Sequence, residues 1–332
     1  TNMKNSEEIV VLNDREHVRL RPTMYIGSTL QSTFTVPILQ DGAASKQELE
    51  LIPAVVRLVC EIIENSMDEF YKVKPSLPHI SVTYCSDTNT VIVEDNGRGI
   101  PIVKHASGKY IPEVVLTELR SGRNFTKEKE HGTIGQNGVG STCVNFCSEV
   151  MTVEVNDGKK HYSQTFEKGA SVIHPPTITN NKTKKTGTKI LFKIDPSVFN
   201  SSLSIPKQFF MHKLYDLCCW NDKLTCSFTY INSNTSEEHT FYNTDAFKGC
   251  LTSYISKDGN GCAIFKCHEE MSLFTSINSA YLYDGGACNK HIENFFVDKF
   301  NIAFKKKHPQ KRMTVDKKDI LCNISIISNF MV

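Results

Sequence analysis

The sequence predicts an α+β protein in which a mixed sheet is covered by helices, followed by a smaller α/β part that begins near residue 221. Three observations lead to this fold class: a long amphipathic helical pattern from Leu51 to Tyr71, several strand-like runs between Ile80 and Ile194, and a fresh set of strands from Leu224. The chain has 332 residues, of which 39 % are hydrophobic and 22 % charged. It is long enough for two such parts and too apolar for a disordered chain.

Charge and hydropathy exclude several classes of protein. Lys and Arg total 38 against 36 for Asp and Glu, a net charge of +2, which is far from that of a nucleic-acid coat. No stretch approaches the roughly 18 to 20 apolar residues of a membrane span, and the N-terminus TNMKNSEEIV lacks a signal-peptide pattern. The 12 cysteines are scattered without zinc-site spacing. We therefore expect an intracellular protein with free thiols, no metal-binding cysteines and no membrane partner.

The elements of the larger part follow in order. The string LRPTMYIGS from Leu20 to Ser28 contains Pro22 and Gly27, which predict a non-helical approach of the chain to the first domain. After the long helix, the turn-rich SDTN joins two strands into a hairpin. A polar, Gly-rich connection from Arg120 to Gly140 is long enough to act as a lid. The remaining predictions are strands at Ile80–Tyr84, Thr90–Glu94, Met151–Val155, His161–Phe166 and Lys189–Ile194, and helices at Ile111–Leu119, from Ser141 and at Lys207–Trp220.

The smaller part contains the one strongly basic stretch of the chain. Within Asn301–Ile320, seven basic residues stand against two acidic ones, a local net of +5. Such a stretch is either a solvated basic loop or a surface that meets nucleic-acid phosphates. The final run ILCNISIISNFMV carries no turn signal, so we expect the chain to end inside a fold.

Polar residues share one face of the long helix. Glu61, Asn65, Asp68 and Glu69 lie at i, i+4, i+7 and i+8. A solvated face is the usual role of such a row. Asn65 is a poor helix former, however, and an ordinary surface would pair its acidic neighbours with Lys or Arg. The row could instead hold a hard cation through the carboxamide oxygen and activate a water through a carboxylate.

Three glycine-containing motifs follow the helix, and each is weak evidence alone. DNGRGIP (Asp95–Pro101) can be a tight turn or a close backbone approach with Asp95 as acceptor. GQNGVGS (Gly135–Ser141) enters a helix, so its backbone N–H groups could meet an anion, although no Walker A Lys follows. KTGTK (Lys185–Lys189) can be a simple turn before a strand.

Together and in this order, the motifs resemble the GHKL (Bergerat-fold) ATPases. LRPTMYIGS followed by GQNGVGS is similar to the N-terminal ATPase region of type IIA DNA topoisomerases. The resemblance implies a two-layer α/β sandwich whose mixed sheet carries helices on one face, with an arm at residues 1–20 and the ATPase domain at 21–220. It also implies a transducer domain at 221–332, resembling the ribosomal S5 domain 2-like fold and truncated before the family's Gln-Thr-Lys loop.

The resemblance assigns roles to individual positions. Glu61 would be the general base, and Asn65 would coordinate Mg²⁺. Asp95 would accept the adenine amino hydrogen, helped by Thr188 through water, and Glu69 would pair with Arg98 at the pocket entrance. The adenine pocket would be shaped by Gly97, Gly99, Ile100 and Pro101. Asn124 would contact ribose or phosphate, and the triphosphate would be wrapped by Gly135, Gln136, Asn137, Gly138, Val139, Gly140 and Ser141.

The implied function is an ATP-driven gate. ATP binding would close a homodimer by exchange of the arm and capture double-stranded DNA, and cleavage of DNA would belong to a part of the enzyme outside this chain. Two alternatives remain: another GHKL ATP-gated clamp such as a mismatch-repair protein, and a nucleotide-binding module without turnover. Thr142 and Asn124 stand where relatives carry Lys. The polar helix and DNGRGIP are similar to gyrase, whereas Asn124 and the pair Gly285 and Gly286 are closer to the eukaryotic single-chain enzyme. This mixture of features is similar to the topoisomerase II of large cytoplasmic DNA viruses of the African swine fever type, which implies replication sites in the host cytoplasm, with the nucleus as the alternative.

Overall fold

The computed structural model describes residues 11–40, 43–121, 138–199, 204–243, 249–255, 260–266, 272–277, 280–281, 286–311, 313–322 and 324–330, together with Phe247. The helices are α1 (Asp14–Leu20), α2 (Thr23–Ile26), α3 (Pro53–Val73), α4 (Ile111–Thr117), α5 (Gly140–Phe146), α6 (Lys207–Trp220), α7 (Gly286–Lys307) and α8 (Lys317–Leu321), with a 3₁₀ turn at Pro196–Val198. The strands are β1 (Ser32–Gln40), β2 (Ala43–Leu51), β3 (His79–Cys85), β4 (Thr90–Asp95), β5 (Ser148–Asp157), β6 (Lys160–Glu167), β7 (Val172–Ile173), β8 (Thr177–Asn180), β9 (Thr186–Ile194), β10 (Thr225–Ile231), β11 (Ser236–Tyr242), β12 (Thr252–Ile255), β13 (Gly261–Lys266), β14 (Ser272–Ile277), β15 (Ala280–Tyr281) and β16 (Ile324–Phe330).

A nine-stranded mixed sheet carries the larger part of the chain, in the order β11-β10-β3-β4-β9-β5-β6-β7 with β8 beside β6. β10 runs parallel to β3, whereas β3, β4, β9 and β5 pair antiparallel. Along β3 the side chains of Ile80, Val82 and Tyr84 are fully buried and their neighbours only partly so. One face of the sheet is therefore covered, and the predicted α+β class with a mixed sheet is confirmed.

Helix α3 supplies much of that cover. All six apolar positions that predict the helix are buried: Val55, Leu58, Val59, Ile62, Ile63 and Phe70. Pro53 occupies the first turn, where its missing N–H costs no hydrogen bond, and Lys74 ends the helix in the left-handed conformation. Helix α6 covers the other end of the sheet, with Phe210 stacked against Tyr84 and Phe228 at centroid distances of 4.9 and 5.0 Å.

A seven-stranded sheet forms the second part, in the order β1-β2-β13-β16-β14-β15 with β12 beside β13. The sequence predicts one boundary between the two parts near residue 220, whereas the two sheets each contain strands from both sides of that point. The early hairpin β1–β2 joins the second sheet, and β10 and β11 extend the first sheet as far as Tyr242. The pairing of β10 with β3 is non-local, so no local pattern in the sequence indicates it.

One local prediction is wrong, and the basic stretch is not simply a loop. Residues Thr23–Ile26 form a short helix where a non-helical approach was expected, because Tyr25 and Ile26 both donate backbone hydrogen bonds to Pro22. The basic stretch is partly helical, since Lys305, Lys306 and Lys307 form the last turn of the 22-residue helix α7. Within the described chain, no helix is long and apolar enough to span a membrane. Every described cysteine is a free thiol.

Candidate functional site

A cavity of about 1260 Å³ opens between α3 and the two central strands β4 and β9 of the nine-stranded sheet. Its walls come from the polar face of α3, the turn after β4, helix α4, the start of α5 and the start of β9. Its volume exceeds the roughly 300 to 1,000 Å³ that is typical of small-molecule sites. The polar row on α3 therefore faces a binding cavity rather than open solvent.

Glu61 lies at one end of this row and is held in a fixed position. Arg57, one helical turn earlier, donates from Nε to Glu61 Oε1 at 2.7 Å. Burial raises the pKa of Glu61, and the Arg57 guanidinium partly opposes that effect. A Cβ on Gly140 would overlap Glu61 Oε2, so only glycine lets α5 approach the carboxylate this closely. A fixed carboxylate with a raised pKa is suited to accept a proton from water.

Asn65 is exposed to the cavity on a helix whose other faces are mostly buried. Its Nδ2 donates to Ser141 Oγ at 2.8 Å, which joins α3 to the start of α5. With Nδ2 occupied as a donor, the carboxamide oxygen retains its lone pairs for a cation. Mg²⁺ prefers such oxygen ligands and usually takes only one or two from the protein beside substrate phosphates. The donor set therefore fits Mg²⁺.

Asp95 marks the opposite end of the cavity, at the end of β4. Register places it opposite Ile80, so its side chain shares the helix-covered face of the sheet. Ser66 donates to Oδ2 at 2.9 Å, and the backbone N–H groups of Gly97 and Thr188 donate to Oδ1 at 2.9 and 3.4 Å. Burial raises the pKa of Asp95 and these hydrogen bonds oppose the effect. The result is an oriented acceptor in a water-poor pocket.

Two glycines allow the backbone to close around Asp95. Gly99 has a φ of +81°, and a Cβ there would lie 2.5 Å from the Asn156 carbonyl oxygen. Gly187, in the KTGTK motif, has a φ of +148°, and its Cβ would overlap the Asp95 carbonyl oxygen. Side chains at either position would push β4, β5 and β9 apart. These glycines are thus required by close backbone contacts, and neither motif is a simple exposed turn.

The Glu69 and Arg98 side chains form the pair that the resemblance implies. Arg98 donates from Nε to Glu69 Oε1 at 2.7 Å and from Nη2 to Oε2 at 3.1 Å. A Cβ on Gly97 would lie 2.8 Å from Glu69 Cγ, so the turn packs tightly on α3. Arg98 is more than half exposed, and the pair therefore orders the turn more than it stabilises the fold.

The structure brings most of the predicted residues together. The cavity wall contains Glu61, Asn65, Glu69, Asp95, Gly99, Ile100, Pro101, Gly138, Val139, Gly140, Ser141 and Thr188. Gly97 and Arg98 lie just behind it, bonded to Asp95 and Glu69. Asn124, Gly135, Gln136 and Asn137 lie outside the described residues.

Sequence reasoning missed two polar residues of the site, Arg57 and Ser66. Ser66 is buried and its spacing from Asp95 gives no signal, whereas Arg57 stands four residues before Glu61 and could have been found as a helical ion pair. The structure also accounts for Thr142, where relatives carry Lys. Its side chain is buried and donates to the carbonyl oxygens of Val115 and Glu118 at 3.2 and 3.1 Å, anchoring α4.

Comparison with known proteins adds two relatives and two solved structures. The family model "Histidine kinase-, DNA gyrase B-, and HSP90-like ATPase" matches residues 51–197. The B subunit of DNA topoisomerase 4 from Staphylococcus epidermidis is 32 % identical over 256 residues, which cover 77 % of this chain and 35 % of that protein. DNA topoisomerase 2 of Candida albicans is 27 % identical over 368 residues, covering 98 % of this chain and 24 % of that protein. The chain thus spans about a third of the first relative and a quarter of the second.

The solved structures share the fold. The ATPase region of Saccharomyces cerevisiae topoisomerase II superposes with a TM-score of 0.78 at 24 % identity, covering 99 % of this chain and 87 % of that one. The ATPase and transducer domains of topoisomerase II from Balamuthia mandrillaris give a TM-score of 0.79 at 22 % identity, covering 99 % and 86 %. Both sheets of the present chain therefore fall within an architecture already seen in solved structures.

Proposed function

We propose that the cavity binds ATP with Mg²⁺ and hydrolyses it. Residues 51–197 match the model of the histidine kinase-, DNA gyrase B- and HSP90-like ATPases, and the chain is similar in sequence to DNA topoisomerases 2 and 4. The observation that carries this proposal is the pair of oriented groups at opposite ends of one cavity. Asp95 is a buried acceptor at one end, and Glu61 is a fixed carboxylate at the other. Asn65 lies between them on the same helix face.

The end of the cavity at Asp95 is suited to bind a hydrogen-bond donor, and we assign it to the adenine base. Ser66 Oγ–H and two backbone N–H groups occupy part of the acceptor capacity of Asp95 and fix its orientation. A remaining lone pair accepts the exocyclic amino hydrogen of adenine, and Thr188 assists through a water. Ile100 and Pro101 form the pocket wall beside it. An amino group is a donor and a carbonyl oxygen is not, so this end favours adenine over guanine.

The phosphate end performs the hydrolysis. Glu61 takes a proton from the attacking water, and Arg57 keeps its carboxylate oriented. Asn65 holds Mg²⁺ through its carboxamide oxygen, and the ion supplies charge neutralisation to the phosphates. The backbone N–H groups of Gly138 to Ser141 lie on the cavity wall and donate to the triphosphate. On the resemblance alone, we also assign Gly135, Gln136 and Asn137 to the triphosphate and Asn124 to the ribose or a phosphate.

We also propose how the site serves the whole enzyme. On the resemblance alone, ATP binding orders the lid predicted at Arg120–Gly140 and lets the arm, residues 1–20, cross to a second copy of the chain. The closed homodimer then surrounds a DNA duplex, and hydrolysis reopens it. Support for a DNA-facing surface comes from the end of α7, the start of α8 and the segment between them. The described lysines there are all exposed: Lys305, Lys306, Lys307, Lys311, Lys317 and Lys318. Contacts of this kind are with phosphates and are sensitive to salt.

The finer assignment follows from sequence features. We propose a topoisomerase II of the large cytoplasmic DNA virus type, supported by the gyrase-like DNGRGIP turn together with Gly285 and Gly286 of the second part. The assignment predicts that the intact protein localises to cytoplasmic replication sites of infected cells. Immunofluorescence with exclusively nuclear staining would contradict it.

Calorimetric titration tests the nucleotide site directly. The chain is titrated with a non-hydrolysable ATP analogue in Mg²⁺, beside Asn65→Ala and the control Asn234→Ala, an exposed residue between β10 and β11. We expect one-to-one binding by the wild type and the control, and loss of the Mg²⁺-dependent part in Asn65→Ala. Equal affinity of Asn65→Ala in Mg²⁺ would remove the metal role of Asn65, and absence of wild-type binding would remove the ATP site.

Steady-state hydrolysis tests the base. We expect Glu61→Ala to bind ATP and to hydrolyse it roughly 10²- to 10⁴-fold more slowly, the usual effect of removing a positioned general base. Phosphate release is measured beside Glu48→Ala, an exposed carboxylate on β2. Turnover by Glu61→Ala at the wild-type rate would exclude Glu61 as the base. A wild type that binds but releases no phosphate would favour a binding module without turnover.

A further inference from the structure

A buried ion pair lies behind the cavity and joins α3 to α6. Lys213 Nζ lies 3.0 Å from Glu64 Oε1, and the two side chains are only 2 % and 4 % exposed. A buried charge without a partner is strongly destabilising, so each of these groups needs the other. The attraction of Glu64 raises the pKa of Lys213 against the opposing effect of its own burial. Neither residue touches the cavity.

Arg57 connects this pair to the site. Its Nη1 lies 3.1 Å from Glu64 Oε2, while its Nε donates to Glu61 Oε1 at 2.7 Å. Glu64 Oε2 receives no hydrogen bond of good geometry, so the contact with Arg57 is an ion pair only. Glu64 and Glu61 therefore compete for one guanidinium, and in this structure the directed hydrogen bond goes to Glu61. Lys213 satisfies the other oxygen of Glu64.

We propose that Lys213 is a positioning residue for Glu61. Because Lys213 pairs with Glu64, Arg57 can donate its hydrogen bond to Glu61. The inference rests on the proposed function only for the role of Glu61 as base. Without Lys213, Arg57 is the cation in contact with the buried Glu64 side chain. The guanidinium would turn toward Glu64, and Glu61 would lose its directed partner and its fixed orientation.

The titration of Glu61 reports this competition. The charged and titratable groups acting on Glu61, or acted on by it, are Arg57, Cys60 and Glu64 on α3, Cys143 on α5 and Lys213 on α6. Loss of Lys213 removes one positive charge and draws Arg57 away, and both effects raise the pKa of Glu61. Replacing Glu64 by Gln has the opposite effect, because Arg57 then has a single carboxylate.

Carbon-13 NMR of carboxyl-labelled glutamate measures the Glu61 titration without nucleotide, and the resonance is identified by its loss in Glu61→Gln. We expect the midpoint to move up by roughly one pH unit in Lys213→Met and down in Glu64→Gln, the lower end of shifts caused by a close charge. Lys207→Met is the matched control, since Lys207 is also on α6 but pairs with Glu237 at the surface. Its midpoint should equal that of the wild type.

The rate of hydrogen exchange at the Arg57 Nε–H distinguishes a movement of the guanidinium from a change in the electrostatic field at Glu61 alone. We expect exchange at least about tenfold faster in Lys213→Met and restored to the wild-type rate in Glu64→Gln/Lys213→Met. Wild-type exchange in Lys213→Met would overturn the proposal. If Lys213→Met does not fold, Glu64→Gln decides: exchange slower than wild type supports the proposal, and unchanged exchange overturns it. Both readouts are taken without ATP, so absence of hydrolysis would bear on the proposed function alone.

Discussion

Gly140→Ala tests whether Glu61 and the start of α5 are as close as the structure has them. The new methyl group would overlap Glu61 Oε2 and approach Cγ to 3.1 Å. Gly140 lacks a positive φ, so alanine has no backbone penalty there. The side chain of Glu61 must therefore rotate, which breaks its 2.7 Å hydrogen bond from Arg57. That loss costs about 1 to 2 kcal/mol, near the low end for charged hydrogen bonds because Arg57 is 38 % exposed.

A double-mutant cycle isolates this contact from other effects of the substitution. In the Glu61→Ala background the space is empty, and Gly140→Ala should be neutral or stabilising, by up to about 1 kcal/mol for glycine replaced in a helix. The free energy of unfolding is measured in urea for wild type, both single variants and the double variant. We expect a coupling of about 1 to 2 kcal/mol, because the gain from replacing glycine in a helix is the same in both backgrounds and cancels. An equal cost of Gly140→Ala in both backgrounds would refute the contact and with it the fixed position of Glu61.

Two further predictions concern other hydrogen bonds of the nine-stranded part. Ser66→Ala removes the 2.9 Å bond to Asp95. We expect ATP binding to weaken by roughly 10- to 150-fold in calorimetry, since such a bond is worth about 1.5 to 3 kcal/mol and each 1.4 kcal/mol is about tenfold. Unchanged affinity would show that Ser66 does not orient the acceptor. Burial acts to raise the pKa of Asp195, but hydrogen bonds from Ser197 and Arg19 hold it below its usual value. The stability this provides is present above the unfolded pKa of about 3.9 and is lost as pH falls through the lower folded value. The advantage of wild type over Asp195→Asn in urea should therefore be constant above about pH 5 and shrink below about pH 4, and an advantage that persists in acid would contradict the assignment.

The part of the site that the sequence predicts is the part encoded by local spacing. Glu61, Asn65 and Glu69 share one face of a helix because of the helical repeat, and the helix itself follows from its apolar positions. Asp95 ends a strand with a strong β pattern and precedes a turn that needs glycine. Such features depend on residues within a few positions of each other, so periodicity and turn chemistry are enough to find them.

The features that the sequence does not predict depend on distant partners. Ser66 and Asp95 meet across the layer between α3 and the sheet, and either residue alone is an ordinary polar residue. The boundary near residue 220 follows a change in local pattern, whereas β10 is assigned to the first sheet by its pairing with β3. Helix α7 has no clear apolar stripe, so its charged and aromatic residues gave no helical signal.

Helix α6 shows why such distant contacts matter for the site. Its prediction at Lys207–Trp220 agrees with the structure, yet the pattern reveals nothing of what its polar residues do. Lys213 contacts Glu64 of α3, behind the cavity, and Asp216, one turn later, accepts a hydrogen bond from Ser276 of β14 at 2.8 Å. The buried helix α6 therefore contacts both the second sheet and the charged groups that lie behind the proposed base. If β14 moved so that Ser276 left Asp216, this buried side chain would keep the hydrogen bond from Trp220 Nε1 of its own helix at 2.8 Å and would lose its partner in the second sheet, at a cost in free energy.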